Sequence, residues 1–447
     1  MMTIGESGAS VEIDDAGLAT CRTPDDGETQ VVVHVDGHPY ATVPAGPGAV
    51  ASCQLPPVAH PLHQTIGFAR PGAAAFAAAH VRRIVLTNPH GLRASDVFGL
   101  GHPPLHSLPW ITFDGVTMQI GGSHLPPGGD PGSLGVRFDP GVVATLQYPL
   151  EATKGFQQAF WYWPNAAYSN LLLRIDLLAT ESGADPFHFT FVERREGAER
   201  ALSEVWLPND LHSFVCFATD ATRIARVQGG TDAFSAVLPG YSHFRYLQRA
   251  FEAHGVSDAA GSRVLDWGCG VGRLTAHFAR EWRPGSISGT DIDAENVRWC
   301  ASAYPAATFS VAPLWPPTSF DDVEFDGVFG VSVMTHLTPI AQAAWLAELA
   351  RILRPGGIAL LTFAGNAGTA MGSLWRDPAW WSRLAVQGID AETRDPVLDG
   401  YIGEADYYRQ TSQTAEHVAA TWTGPFELLE IVPAAFGNQD LAVLRRR

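Results

Sequence analysis

The run Arg263-Val-Leu-Asp-Trp-Gly-Cys-Gly-Val-Gly-Arg273 reads as a buried strand, a glycine turn and the first residue of a helix. Val264 and Leu265 are apolar residues suited to a strand, and Gly268, Gly270 and Gly272 interrupt it. Leu274, Phe278 and Trp282 then recur at helical spacing and give the following helix an apolar face. A glycine turn in this position lets backbone N–H groups approach a ligand with no Cβ in the way. Asp266 places a carboxylate at the strand's carboxyl end, where open α/β sheets bind ligands.

Working outward, the pattern repeats. Ser286-Ile-Ser-Gly-Thr-Asp291 reads as a second strand that also ends in an acid. Such a carboxylate can accept both hydroxyls of a ribose. Phe325-Asp-Gly-Val-Phe-Gly-Val-Ser-Val-Met334 reads as another strand, leading into Thr335-His-Leu-Thr-Pro339. Thr338 suits a helix N-cap and Pro339 the first helical position. Ile340, Ala344, Leu346, Leu349 and Leu353 mark that helix's expected buried side. Arg354-Pro-Gly-Gly357 reads as a turn, Ile358 to Phe363 as the next strand, and Phe426–Val432 and Asp440–Leu444 as a closing hairpin. Upstream, Tyr241 to His254 reads as an amphipathic helix with Phe244, Leu247, Ala250 and Phe251 on one side.

The dinucleotide-binding fingerprint requires a third glycine where Arg273 stands, which argues against a nicotinamide oxidoreductase. Gly-x-Gly-x-Gly preceded by an acid instead resembles motif I of the class I S-adenosylmethionine-dependent methyltransferases. The order of later strands resembles the same family over residues 241–447. The resemblance implies a Rossmann-like α/β fold with a seven-stranded sheet and S-adenosyl-L-methionine as cofactor. Asp266, Gly268, Gly270 and Gly272 would hold its methionine end and Asp291 its ribose. Ile292, Ala312, Pro313 and Val331 would line the rest of the pocket. The family's usual acid after the third strand is missing: Ser310-Val-Ala-Pro-Leu-Trp315 stands there, so apolar contact and backbone N–H groups would hold the adenine, with Trp315 a neighbour. Arg273 could meet the cofactor carboxylate, an acidic substrate group or a surface carboxylate.

Methyl transfer from a sulfonium needs alignment and exclusion of water, and a hydroxyl nucleophile also needs a base. His336 is the candidate catalytic base, because it follows the fourth strand of the sheet at the edge where the methyl group should lie. Helix capping is the plainer role for it. No carboxylate cluster follows that strand, so no metal is expected. The acceptor class that follows is a small molecule or glycan, methylated at a hydroxyl. The alternative is a cofactor-binding scaffold within a glycan-assembly complex.

Composition sets the outer bounds. With 46 acidic against 29 basic residues the net charge is −17, and the one basic run is Arg445-Arg-Arg447. Phosphate backbones reward clustered cations, so nucleic acid is not an expected partner. The five scattered cysteines contain no Cys-x-x-Cys pair, which disfavours a disulfide framework or zinc site. The N-terminus lacks the basic and apolar regions of a signal peptide, and the run Ala73–Ala79 is too short to span a bilayer; a cytoplasmic protein without membrane insertion is expected. Residues 1–92 and 93–205 read as two small all-β, sandwich-like domains, 206–240 as a connector and 241–447 as the methyltransferase-like domain. Gln30–Gly37, Leu62–Arg70, Val81–Thr87, Trp110–Gly115, Val142–Tyr148, Gln157–Trp163, Leu171–Leu178 and Phe187–Glu193 are the expected strands. Pro71–Ala79 has a helical turn as an alternative. Paired β units before such a domain resemble accessory domains of bacterial glycan-modifying proteins. The aromatic run Phe160-Trp-Tyr-Trp163 reads either as a core seam and domain interface or as a sugar-stacking platform.

Overall fold

Val264–Trp267 is fully buried and forms the centre of the C-terminal sheet in a computed structural model of the 447-residue chain. The structure describes every residue outside 1, 5–10, 14–17, 26–29, 36–37, 56–61, 74, 84–86, 99–109, 115, 126–133, 139–140, 151–157, 164–165, 178–186, 196–197, 209–222, 224–232, 397–403 and 405–406. The central strand is β1 (Val264–Trp267); around it lie β2 (Ile287–Asp291), β3 (Thr308–Val311), β4 (Phe325–Gly330) and β5 (Leu353–Phe363). A smaller hairpin, β6 (Ile389–Arg394) and β7 (Arg409–Gln413), precedes the last two strands, β8 (Phe426–Val432) and β9 (Asp440–Arg446).

The seven-stranded sheet has the order β3-β2-β1-β4-β5-β9-β8. The first five strands are parallel, and β9 runs antiparallel between β5 and β8. Chain order reverses between β1 and β4, which opens the crevice where doubly wound sheets take ligands. Parallel strands buried on both faces need continuous apolar runs. Ile358–Leu361 satisfy this, each at 0–1% exposure. One face is covered by α1 (Ala233–Glu252), whose Phe244, Leu247 and Phe251 pack on Val264, Phe329 and Leu360 together with Phe278 of α2 (Thr275–Glu281). The other carries α4 (Pro339–Ile352), with Trp345, Leu346 and Leu349 against Val328 and Leu361. α3 (Ala294–Ala303) links β2 to β3.

Local expectations hold with some corrections. Thr338 caps α4 by accepting from the Ala341 N–H, and Pro339 takes the first turn. Ile340, expected on the buried side, is 75% exposed because it lies in the first turn, beyond the sheet edge. Residues 354–357 lie inside β5, where the pairing jumps from Phe325↔Leu353 to Gly327↔Ile358, so the expected Pro-Gly turn is a local bulge of the strand. The helix expected from Tyr241 begins at Ala233.

The described residues of the N-terminal half are mainly β-sheet, with a short helix at Ala94–Phe98. A five-stranded and a three-stranded sheet enclose Val31, Val33, Ile66 and Phe68 with Ala19, Cys21 and Cys53. A four-stranded and a three-stranded sheet enclose Ile120, Leu173, Phe189 and Phe191. Pro71–Ala79 is not a helical turn, for a strand runs from Ala75 to Arg83. Gln157–Trp163 is not a strand: Gln158–Trp163 form a helical turn and tight turns, since Trp163 N–H returns to the Phe160 carbonyl at 2.8 Å. Phe160, Trp161, Tyr162 and Trp163 are at most 5% exposed and pack with Leu92, Val97 and, across the chain, Ala370, Met371 and Trp381. None presents a face to a sugar; the seam reading is the correct one. Trp161 Nε1–H donates to Ser373 Oγ at 3.1 Å, and the Asn88 side chain donates to the Ser373 and Arg376 carbonyls. Residues of both expected N-terminal units, Asn88 and Trp161, are thus tied to the segment between β5 and β6. No helix among the described residues is long and apolar enough to cross a membrane.

Candidate active site

The turn after β1 is left-handed at all three glycines, with φ of +78° at Gly268, +53° at Gly270 and +73° at Gly272. Such angles favour glycine. A Cβ on Gly268 would lie 2.4 Å from Val333 Cγ2, so the turn is pressed against the segment that leaves β4. The turn's N–H groups differ from expectation. Gly268 and Cys269 donate to the Thr290 carbonyl at 2.8 and 3.0 Å, Gly272 to the Cys269 carbonyl at 2.8 Å and Gly270 to Asp291 Oδ2 at 2.7 Å. These four donors are used within the protein. The glycines serve close packing and a fixed curve of backbone rather than a fan of free donors.

Two carboxylates flank this turn. Asp266 is 3% exposed, and its Oδ2 accepts from Thr275 Oγ1 at 2.6 Å, tying β1 to α2. Burial raises its pKa to about 7; the Thr275 hydroxyl opposes the shift, the Asp291 charge adds to it and Arg273 offsets it. Asp291 ends β2 and spans the turn's mouth, with Oδ2 on Gly270 N–H and Oδ1 on Asp293 N–H at 2.8 Å. Each oxygen keeps a second lone pair. Arg273 is no surface salt bridge: its Nη1 meets His243 Nδ1 of α1 at 3.1 Å. Burial lowers its pKa to about 10.

The remaining expected residues fall on the same carboxyl edge. Ala312 N–H donates to the Asp291 carbonyl at 2.8 Å, which sets the 312–313 segment beside the β2 end. Ala312 is 7% exposed and Pro313 is exposed; Ile292 and Val331 are partly buried. Trp315 is 39% exposed and donates from Nε1 to Glu404 Oε2 at 3.0 Å. Tyr241 does not line the site; at 2% exposure it packs on Phe244 and His277.

His336 stands one helical turn beyond β4. Its Nδ1 lies 3.0 Å from the Arg409 carbonyl and 4.0 Å from Asp395 Oδ2, and its ring stacks on Tyr408 at 4.1 Å and 9°. A carbonyl accepts only, so Nδ1 carries the hydrogen and Nε2 the lone pair. Burial lowers the His336 pKa; the Arg409 carbonyl and Asp395 work against that shift. Sequence reasoning missed Asp395, Tyr408 and Arg409, which arrive through the β6–β7 hairpin, and Ser332, which has φ of +63° without being glycine. Residues 371–410 are rich in aromatic and acidic side chains, which is the one sequence signal for Asp395 and Tyr408; Arg409 has none. Among the described residues no group of three His, Cys, Asp or Glu side chains is placed to hold a metal ion.

Comparison with known proteins agrees with this architecture. Residues 264–357 match the family described as methyltransferase domain. The matched residues lie in the seven-stranded, mostly parallel Rossmann-like sheet, which is preceded by all-β sheets. The chain is similar to a fatty-acid O-methyltransferase of Mycolicibacterium smegmatis, with 36% identity over 128 residues, 28% of this chain and 44% of the relative. It is also similar to a trans-aconitate 2-methyltransferase of an Azoarcus species, with 34% identity over 134 residues, 29% of this chain and 50% of the relative. The chain thus spans half or less of the length of these relatives. A SAM-dependent methyltransferase structure from Methanosarcina mazei aligns with 41% of this chain and 92% of its own at a TM-score of 0.32 and 21% identity.

Proposed function

We propose that this chain is an S-adenosyl-L-methionine-dependent methyltransferase acting on an oxygen of a small-molecule, lipid or glycan acceptor. The observation that carries the reading is the pair Asp266 and Asp291 flanking a left-handed glycine turn at the sheet's switch point. A buried carboxyl raised by its own burial and by a neighbouring carboxylate is relieved by a cation. The cofactor brings an ammonium and a sulfonium, and its fit here is one of charge. When bound, it supplies an activated methyl group.

The chain's residues would divide the work as follows. Asp266 would face the ammonium of the methionine end, the bare curve of Gly268, Gly270 and Gly272 would let that end approach the backbone closely, and Asp291 would accept from the ribose hydroxyls. Ile292, Ala312, Pro313 and Val331 would wall the adenosine. His336 would take the proton of an acceptor hydroxyl at Nε2, with Nδ1–H anchored on the Arg409 carbonyl. The N-terminal half, assigned to residues 1–92 and 93–205 as separate units, contributes no catalytic group in this reading. Its docking of Asn88 and Trp161 on the Ser373 region would brace the segment that follows β5. A carboxylate acceptor is a second reading, favoured by the names of the two relatives; it needs no base. A scaffold without turnover is the competing one.

Turnover of S-adenosylmethionine with decanoate, 1-decanol and methyl glucoside tests the proposal. Methylation of any one supports it, and cofactor binding without turnover on such acceptors would favour the scaffold.

Asp291→Ala is expected to weaken S-adenosylhomocysteine binding by about 1–3 kcal/mol, the size of a lost charge-assisted contact. Because Asp291 also anchors Gly270 and Asp293, part of this loss is order in the turn. Asp291→Asn keeps an acceptor and should lose less. Calorimetry in which both variants bind like the parent would remove Asp291 from the ribose site.

A further inference from the structure

Ser332 is a left-handed non-glycine residue at the carboxyl end of β4, immediately before Val333, which packs on Gly268. Such a conformation persists only where the surroundings over-determine it, and it concentrates at functional sites. Here the residue's N–H, its carbonyl and a lone pair of its Oγ are all engaged. Its N–H donates to Thr362 Oγ1 at 2.8 Å. Its carbonyl accepts from Thr335 Oγ1 at 2.9 Å. Its Oγ accepts from Gln439 Nε2 at 2.6 Å. Thr362 Oγ1–H donates in turn to Gln439 Oε1 at 2.6 Å and closes a ring. Thr362 is fully buried on β5, and Gln439 comes from the β8–β9 link, so two other parts of the sheet hold this one residue.

The ring leaves one hydrogen over. Thr362 spends its hydroxyl hydrogen on Gln439, and Gln439 spends an amide hydrogen on Ser332. The Ser332 hydroxyl hydrogen has no acceptor among the described residues, and the residue is partly exposed. It follows β4 and precedes Val333, which lies against Gly268, on the chain segment that also carries His336.

We infer that Ser332 is an acceptor-contacting residue whose hydroxyl donates to an oxygen of the methyl acceptor, and that Thr362 and Gln439 are positioning residues for it. This rests on the methyltransferase reading and deepens it. A lone donor here suits an oxygen acceptor, an alcohol or a carboxylate, because such an oxygen has a lone pair to spare beside the one that attacks. An amine that attacks through its single lone pair has none.

The test uses the full chain and whichever of decanoate, 1-decanol and methyl glucoside turns over. Ser332→Gly favours the left-handed backbone and removes the hydroxymethyl side chain. It is expected to raise the acceptor KM about tenfold or more, the effect of one lost hydrogen bond to a polar or charged group. S-adenosylhomocysteine affinity should stay within about twofold, since the hydroxyl is assigned to the acceptor, whereas a merely structural role would disturb cofactor binding as well. Gln439→Glu places a carboxylate that can only accept, so it takes the Ser332 hydrogen. It should raise KM as Ser332→Gly does, without lowering the melting temperature. Parent KM values in both variants would overturn the assignment, as would loss of S-adenosylhomocysteine affinity in place of a KM effect. S-adenosylhomocysteine binding with no methylation of acid, alcohol or sugar would overturn the oxygen-methyltransferase reading itself, and Ser332 with it.

Discussion

His336→Ala is expected to lower turnover on a hydroxyl acceptor by about 10²–10⁴-fold, the usual contribution of a positioned base. The ring is fixed from three sides: the Arg409 carbonyl at 3.0 Å, Asp395 at 4.0 Å and the parallel Tyr408 ring at 4.1 Å. These contacts hold the hydrogen on Nδ1 and turn the basic nitrogen away from the hairpin. Cofactor affinity should change little, because His336 makes no contact with the glycine turn or the two flanking carboxylates. The sign with pH follows from burial. His336 is 24% exposed and its pKa is lowered, so it is neutral and competent at neutral pH. The parent's rate should fall as pH drops through a value below the ordinary histidine range, and the variant should lose that limb. Steady-state rates across pH check both. Full turnover with an unchanged profile would leave alignment and water exclusion as the catalytic devices, as would hold for a carboxylate acceptor.

The second large effect is on the fold. Gly272→Ala is expected to destabilise the domain by about 2–5 kcal/mol, adding 1–2 for a left-handed alanine to 1–3 for overpacking. At Gly272 φ is +73°, and a Cβ would stand 2.7 Å from Tyr304 Cε2 and 3.2 Å from Cys300 Sγ. Tyr304 is 7% exposed and wedged edge-on against Trp299, so it has little room to yield. Gly356→Ala is the control. Its φ is +77° and nothing lies within 4 Å of a Cβ there, so only the backbone part, about 1–2 kcal/mol, should appear. Denaturant unfolding of the two variants separates packing from conformation. Equal losses would mean that Tyr304 moves aside freely.

The parallel sheet was legible because its signals are local. Val264-Leu265 and Val328-Phe329 are short apolar runs followed by Asp266 and Gly330, and Ile287–Thr290 runs into Asp291, so each strand and its end can be read locally. Thr338 and Pro339 announced α4 by capping chemistry that needs no tertiary contact. What failed to show was made elsewhere in the chain. The start of α1 was hidden by Pro239-Gly240, a pair that reads as a breaker. The helix runs through it, and Gly240 fits because a Cβ there would come within 2.9 Å of Arg273 Cγ. Phe160–Trp163 looked like a strand because aromatic residues favour strands, yet their burial comes from Leu92, Val97, Leu125 and residues 370–381. Around the candidate site, the carboxylates and glycines stood out by type and spacing. The partners of His336 and the ring about Ser332 did not, since Arg409, Thr362 and Gln439 carry no motif and meet only through the β6–β7 hairpin and the β8–β9 link.

Titration calorimetry of the full chain with S-adenosylhomocysteine, with NAD as the comparison, tests the central claim most directly. A crevice bounded by Asp266, the glycine turn and Asp291 should bind one equivalent of S-adenosylhomocysteine and no NAD, because Arg273 stands where the dinucleotide pattern needs a glycine. NAD binding, or heat from neither ligand, would contradict it.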